Sequence, residues 1–134
     1  MKLEKKSIKQ LKKQAWKLCS EYIRRRDNGC CFTCFVRKEW KEMQAGHFIH
    51  GNTKLTWLDE TNIHCQCSRC NMYLSGNLRV YTLYMIKKYG IKKVETLEKM
   101  GKQNHYHKKP ELIAIIKHYQ KKLYEMQILP QAVA

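Results

Sequence analysis

The sequence predicts an α+β protein: an irregular, cysteine-rich centre flanked by helices on both sides. Three observations carry this reading. Apolar residues recur at steps of three and four on either side of the centre, that periodicity lapses between Gly29 and Asn77, and every cysteine except Cys19 falls within the lapse. At 134 residues the chain suits a single compact domain with one modest core. Its expected parts are a basic N-terminal helix over about 5–27, a core over about 29–77 and a helical C-terminal region over about 78–126.

In the first part, Ile8, Leu11, Ala15, Leu18 and Tyr22 line one helical face and lysine and arginine fill the other. The run Arg24, Arg25 and Arg26 either grips phosphate or simply covers the surface. In the centre, Lys41 to Ile49 reads as extended and His50 to Thr56, with Gly51 and Asn52, as a loop. A short helix is expected to start near the second cysteine pair. Asn77 reads as the N-cap of a helix marked by Leu78, Tyr81, Met85 and Tyr89 and ended by Gly90. A shorter helical piece follows through Met100, then a polar loop over Gly101 to Lys109. Pro110 suits the first turn of a last helix carrying Leu112, Ile115, Ile116, Tyr119 and Leu123, and Leu129 to Ala134 are expected to fray.

Lysine and arginine number 27 against 11 aspartate and glutamate, a formal charge of +16. Such an excess calls for a polyanionic partner or forms a solvated basic surface; nucleic acid is the common partner, because neutralised phosphates release counterions. Charge does not separate DNA from RNA. No apolar run approaches the roughly 18 residues that span a bilayer, so no membrane role is expected. The opening MKLEKKSIKQ carries no apolar stretch of the signal-peptide kind. A reducing, cytoplasmic setting is therefore expected.

In that setting, closely spaced cysteines hold metal more often than they bridge each other. Cys31-Phe-Thr-Cys34 and Cys67-Ser-Arg-Cys70 are two C-x-x-C knuckles at a zinc-ribbon separation. Four thiolates at tetrahedral corners are what Zn²⁺ takes in a closed structural site, and the binding free energy of the ion would support so loop-rich a centre. Two intervening residues let both sulfurs of a knuckle turn to one ion, so Cys30 and Cys65 are expected to point elsewhere. Cys19 reads as a small core residue of the first helix.

Between the knuckles lies Gln44-Ala-Gly-His47-Phe-Ile-His50, then a loop, then Glu60-Thr-Asn62, with Asn71 directly after Cys70. Within a double C-x-x-C frame, His47, Asn62 and Asn71 fall where HNH nucleases carry their name-giving residues. The segments WKEMQAGHFI (40–49), AWKL (15–18), SEYIRRR (20–26), GNL (76–78) and YTLY (81–84) resemble the phage NinG (Rap) recombination family, a likeness that covers most of the chain.

The resemblance implies a zinc-stapled ββα-metal (HNH) core and an endonuclease acting on branched DNA, such as junctions or D-loops; for such a substrate a homodimer is attractive, because two symmetrically placed sites can cut both strands. It implies His47 as the general base, a role suited to an imidazole whose ordinary pKa of about 6.5 leaves it largely unprotonated at neutral pH. It further implies Asn71 as an oxygen ligand to Mg²⁺ or Mn²⁺, with helix capping as its alternative, and Asn62 as a brace of the loop. Arg24, Arg25 and Arg26 would then contact nucleic acid. Two positions depart from the pattern. Gly46 stands where many relatives in the wider superfamily carry a ligating Asp, leaving Glu42, Gln44, His50 and Asp59 as candidate substitutes; His50 stands where the family usually shows Pro. A zinc-ribbon DNA-binding or recombination-assembly module with a decayed catalytic centre is the alternative function.

Overall fold

The computed structural model describes residues 2–128, and the expected fraying of 129–134 lies outside them. The described residues form two compact units, one of residues 2–22 with 107–128 and the other Ile23–Tyr106.

The first unit contains a 3₁₀ turn at Leu3–Lys5, most of helix α1 (Ile8–Arg26) and helix α4 (Lys109–Ile128). Helix α1 starts at Ile8 rather than Lys5 because of a reciprocal cap. Gln10 N donates to Ser7 Oγ at 3.1 Å and Ser7 N donates to Gln10 Oε1 at 2.9 Å, so two otherwise unbonded N–H groups are satisfied. Leu11, Ala15, Cys19 and Tyr22 are buried on α1, whereas Ile8 is exposed; Leu112, Ile116, Tyr119 and Leu123 are buried on α4. Tyr22 and Tyr119 meet with ring centroids 5.7 Å apart.

The second unit carries a two-stranded antiparallel ladder of β1 (Gln44–His47) and β2 (Ile63–Gln66), in which Gly46 lies opposite His64 and Gln44 opposite Gln66. The extended stretch is shorter than expected, because Trp40–Glu42 closes a 3₁₀ turn in which Met43 N donates to Trp40 O. The helix expected at the second cysteine pair is a single π-helical turn, Arg69–Tyr73. Helices α2 (Leu78–Tyr89) and α3 (Ile91–Met100) follow, separated by Gly90 at φ +89°. Asn77 precedes α2, but its side chain makes no cap; its φ is +50° and its Nδ2 turns instead to Cys70 Sγ at 3.7 Å.

Two apolar clusters hold this unit together. Phe48, Tyr81, Met85, Val94 and Leu97 pack β1's exit against α2 and α3, and Met43 packs with Cys31, Cys65, Cys67 and Cys70. No described helix is long and apolar enough to cross a membrane.

Candidate metal centre and histidine cleft

The four cysteines singled out by spacing are the four whose sulfurs converge. Those of Cys31, Cys34, Cys67 and Cys70 all lie within 4.8 Å of one another, and Cys34 Sγ is 3.6 Å from Cys67 Sγ. A tetrahedral zinc with Zn–S bonds of about 2.3 Å needs sulfurs about 3.8 Å apart, so the cluster could hold a zinc ion. Local hydrogen bonds suit thiolates. Cys70 N donates to Cys67 Sγ at 3.4 Å, and the Thr33 hydroxyl lies 3.4 Å from Cys31 Sγ. Burial raises the Cys31 thiol, but bonds from Thr33 and from the backbone outweigh it and leave the pKa at about 6. Burial and the neighbouring sulfurs push Cys34 up to about 12. One thiolate thus opposes the next, a conflict that a divalent cation at their centre removes. Cys65 and Cys30 lie outside the quartet, and Cys19 is buried on α1.

His47 ends β1 and lines an open cleft of about 360 Å³ with Ala45, His50, Gly51, Asn52, Trp57 and Asn71. Two of the three motif residues therefore share one cleft. The His47 Nε2 lies 2.8 Å from Trp57 O. A carbonyl only accepts, so in the neutral ring Nε2 carries the hydrogen and Nδ1 is the basic nitrogen. Burial pulls the His47 pKa below its ordinary value, the bond to the Trp57 carbonyl opposes this, and His50 adds to the lowering.

Asn62, the third motif residue, is fully buried away from the cleft lining. Its Oδ1 accepts from Ile49 N at 2.8 Å, and its Nδ2 donates to Ile49 O at 2.9 Å and to Thr56 O at 3.1 Å. One amide thereby ties both ends of the loop from Ile49 to Thr56, directly beside the carbonyl that orients His47. Asn62→Ala is expected to strand three backbone groups, that of Thr56 buried and those of Ile49 partly so, and to lower stability by about 2–4 kcal/mol, read as a lower urea midpoint.

Asn71 sits on the π-helical turn. Its Nδ2 donates to Gln44 Oε1 at 2.7 Å, which leaves Oδ1 facing Gly46, 3.0 Å from where a Cβ would stand. Of the proposed substitutes for an acid at position 46, His50 lines the cleft and Gln44 is bound to Asn71. Glu42 and Asp59 do not line it, and Asp59 accepts from Thr61 N instead.

A histidine that the motif reading did not single out supports the strand from the other side. Tyr81 OH donates to Gly46 O at 2.8 Å, and therefore accepts from His64 Nδ1–H at 3.0 Å; His64 Nε2 in turn accepts from Tyr89 OH at 2.7 Å. Burial, with Arg26 and Lys88 adding to it and Asp27 opposing, drives His64 down to about 3. Between the ordinary value of 6.5 and about 3, the unfolded chain binds a proton that the folded chain does not. Stability is thus complete above that window and falls by up to about 1.4 kcal/mol per pH unit on acidification through it. Urea unfolding at stepped pH should show this slope, flattened in His64→Gln.

The arginine run divides by contact. Arg26 donates to Asp27, to Glu60 O at 3.0 Å and to Ile63 O at 2.9 Å, holding the turn before β2. The guanidinium carbons of Arg24 and Arg25 stand over the Trp40 ring at 5.0 and 4.3 Å from its centroid. Trp57 is buried.

An α+β chain with a four-cysteine cluster fit for zinc, beside a histidine-lined cleft on a two-stranded ladder, is the class of protein that fold and site define. It belongs to the NinG family: the model described as Bacteriophage Lambda NinG protein matches residues 1–128. The chain is 34% identical over 119 residues to Protein ninG of Salmonella phage P22, covering 86% of this chain and 57% of that one. It is 32% identical over 119 residues to Protein ninG of Escherichia phage lambda, covering 86% and 56%. The chain thus spans little more than half the length of these relatives. No solved structure matches it.

Proposed function

We propose that the chain is a metal-dependent endonuclease that hydrolyses phosphodiester bonds in branched or recombination-intermediate DNA, working in the cytoplasm of a bacterial host. The observation that carries this reading is the shared cleft of His47 and Asn71, in which the His47 ring is oriented by the Trp57 carbonyl. The oriented tautomer makes Nδ1 the proton acceptor. As a water oxygen bonds to phosphorus, its proton passes to Nδ1 while the P–O3′ bond breaks and the departing O3′ takes a proton from solvent water, leaving 5′-phosphate and 3′-hydroxyl ends. The Asn71 Oδ1 suits a hard divalent ion, and Mg²⁺ or Mn²⁺ held there would supply charge stabilisation at the phosphoryl oxygens. The net charge of +16 favours phosphate contacts independent of sequence. The branched-DNA preference rests on the family resemblance.

The test is incubation of the zinc-loaded chain with a four-way junction, a flap and a linear duplex, each with Mg²⁺, Mn²⁺ or EDTA. Cleavage of the branched substrates that needs the divalent ion supports the proposal. Binding without cleavage under every condition would overturn it in favour of the DNA-binding module.

A further inference from the structure

Position 46 has no side chain, and the structure contains an atom in its place. A Cβ built on Gly46 would lie 1.8 Å from Gln66 Oε1, so that oxygen occupies the space where a side chain would begin. The two residues are diagonal neighbours on one face of the β1–β2 ladder, since Gly46 pairs with His64 and Gln66 with Gln44. The amide's orientation is set by its partners. Gln66 Nε2 donates to Gly76 O at 2.9 Å, and a carbonyl only accepts, so the nitrogen points there and the oxygen points at Gly46. Nε2 also donates to Thr33 Oγ1 at 3.1 Å, which leaves the Thr33 hydroxyl proton for Cys31 Sγ. The cysteine cluster therefore helps hold the amide in place.

Gln66 is fully buried, yet its Oε1 has no hydrogen-bond partner. A buried amide oxygen left in this way costs about 1–3 kcal/mol. The Asn71 Oδ1 approaches the same point, 3.0 Å from the Gly46 Cβ position. Two amide oxygens, each fixed by donation from its own nitrogen, thus converge over the glycine that precedes His47; Asn71 also lines the His47 cleft, whereas Gln66 lies buried behind that lining.

We propose that Gln66 Oε1, reaching through the gap left by Gly46, joins Asn71 Oδ1 as the oxygen pair that takes a hard divalent cation, standing in for a carboxylate at position 46. This rests on the reading that a divalent ion works at the His47 cleft. Both oxygens are neutral, so the pair binds the ion weakly and leaves most of its charge for an incoming phosphodiester. The geometry also explains the glycine: any side chain at 46 would collide with Gln66.

The experiment is Mn²⁺ titration of the zinc-loaded full chain, followed by loss of the free-ion electron paramagnetic resonance signal. Wild type is expected to bind one Mn²⁺, and Gln66→Ala and Asn71→Ala each to weaken it by about tenfold or more. The exchange Gly46→Asp with Gln66→Ala should restore binding, because the carboxylate then enters the vacated space. Zinc content checks folding. Should Gln66→Ala fail to fold, Gly46→Ala displaces the same oxygen from the opposite side and is expected to weaken Mn²⁺ equally. Unchanged Mn²⁺ affinity in Gln66→Ala, or in Gly46→Ala, overturns the assignment while leaving the nuclease reading intact. A wild-type chain that binds no Mn²⁺ overturns both, whereas Mn²⁺ binding lost in Gln66→Ala, by a chain that cuts no DNA, keeps the site and removes the nuclease.

Discussion

Replacing His47 with alanine is expected to lower the rate of DNA cleavage by about 10²- to 10⁴-fold while leaving DNA affinity almost unchanged. The first part follows from the ring's orientation. With Nε2 bound to Trp57 O, the imidazole presents Nδ1 as its basic nitrogen, and alanine leaves the water with no acceptor in that position. The second part follows from charge. Burial holds the His47 pKa below its ordinary value, so at neutral pH its loss removes none of the +16 to which the proposed DNA binding is attributed. Single-turnover cleavage of a junction substrate and a parallel mobility-shift titration at fixed salt measure the two quantities. Equal cleavage by wild type and variant would exclude His47 as the base. Because the folded-state pKa is depressed, the proposed base function would be complete above the ordinary histidine range and decline only below it. Cleavage by wild type should therefore persist at pH values where an exposed histidine would already be protonated.

Removal of the metal from the cysteine quartet is expected to unfold the Ile23–Tyr106 unit. Structural zinc in small domains contributes on the order of 10 kcal/mol, comparable to the whole stability of a domain of this size. Three of the quartet, Cys31, Cys67 and Cys70, also sit in an apolar cluster of the described residues, and Cys34 packs against it. Without the cation, the thiols stay protonated or repel as thiolates, and their packing around Met43 is lost. Cys67→Ser should give a chain with less than one zinc by elemental analysis and no cooperative transition in near-ultraviolet circular dichroism; a strong chelator should do the same to wild type. A Cys30→Ser chain, altered outside the quartet, should keep both. Native-like unfolding in the Cys67→Ser chain would show that the cluster carries no structural metal.

Much of the frame was legible because its signals are local. A C-x-x-C knuckle brings two sulfurs together through one turn, so spacing alone selected Cys31, Cys34, Cys67 and Cys70 and set Cys30 and Cys65 aside. The helical flanks were legible from their 3.6-residue stripe, with Leu11 and Ala15 buried on α1 and Leu112 and Ile116 on α4. Their ends were less so. The start of α1 depended on the Ser7–Gln10 cap, and Asn77 offered a cap residue whose side chain the sulfur of Cys70 engages instead. Strand β2 carried a period-2 signal, since Ile63 and Cys65 alternate with His64 and Gln66, but the strand is only four residues long and its polar members are buried with the apolar ones, so the alternation marked no solvent-facing side.

By itself, the sequence determined the α+β class, the sulfur quartet and the family, and it singled out His47, Asn62 and Asn71 as candidate site residues. Each of these is a relation between near neighbours or a pattern of residue types. The tertiary structure alone decided what those positions face. It put His47 and Asn71 on one cleft and Asn62 behind it as a loop tie, and it joined His64 to the Gly46 carbonyl through Tyr81. It also filled the empty place at Gly46 with the oxygen of Gln66. The physical reason is register. Which side chain enters a glycine's vacancy is set by the pairing of two strands distant in sequence, and a shift of one residue would turn Gln66 to the opposite face.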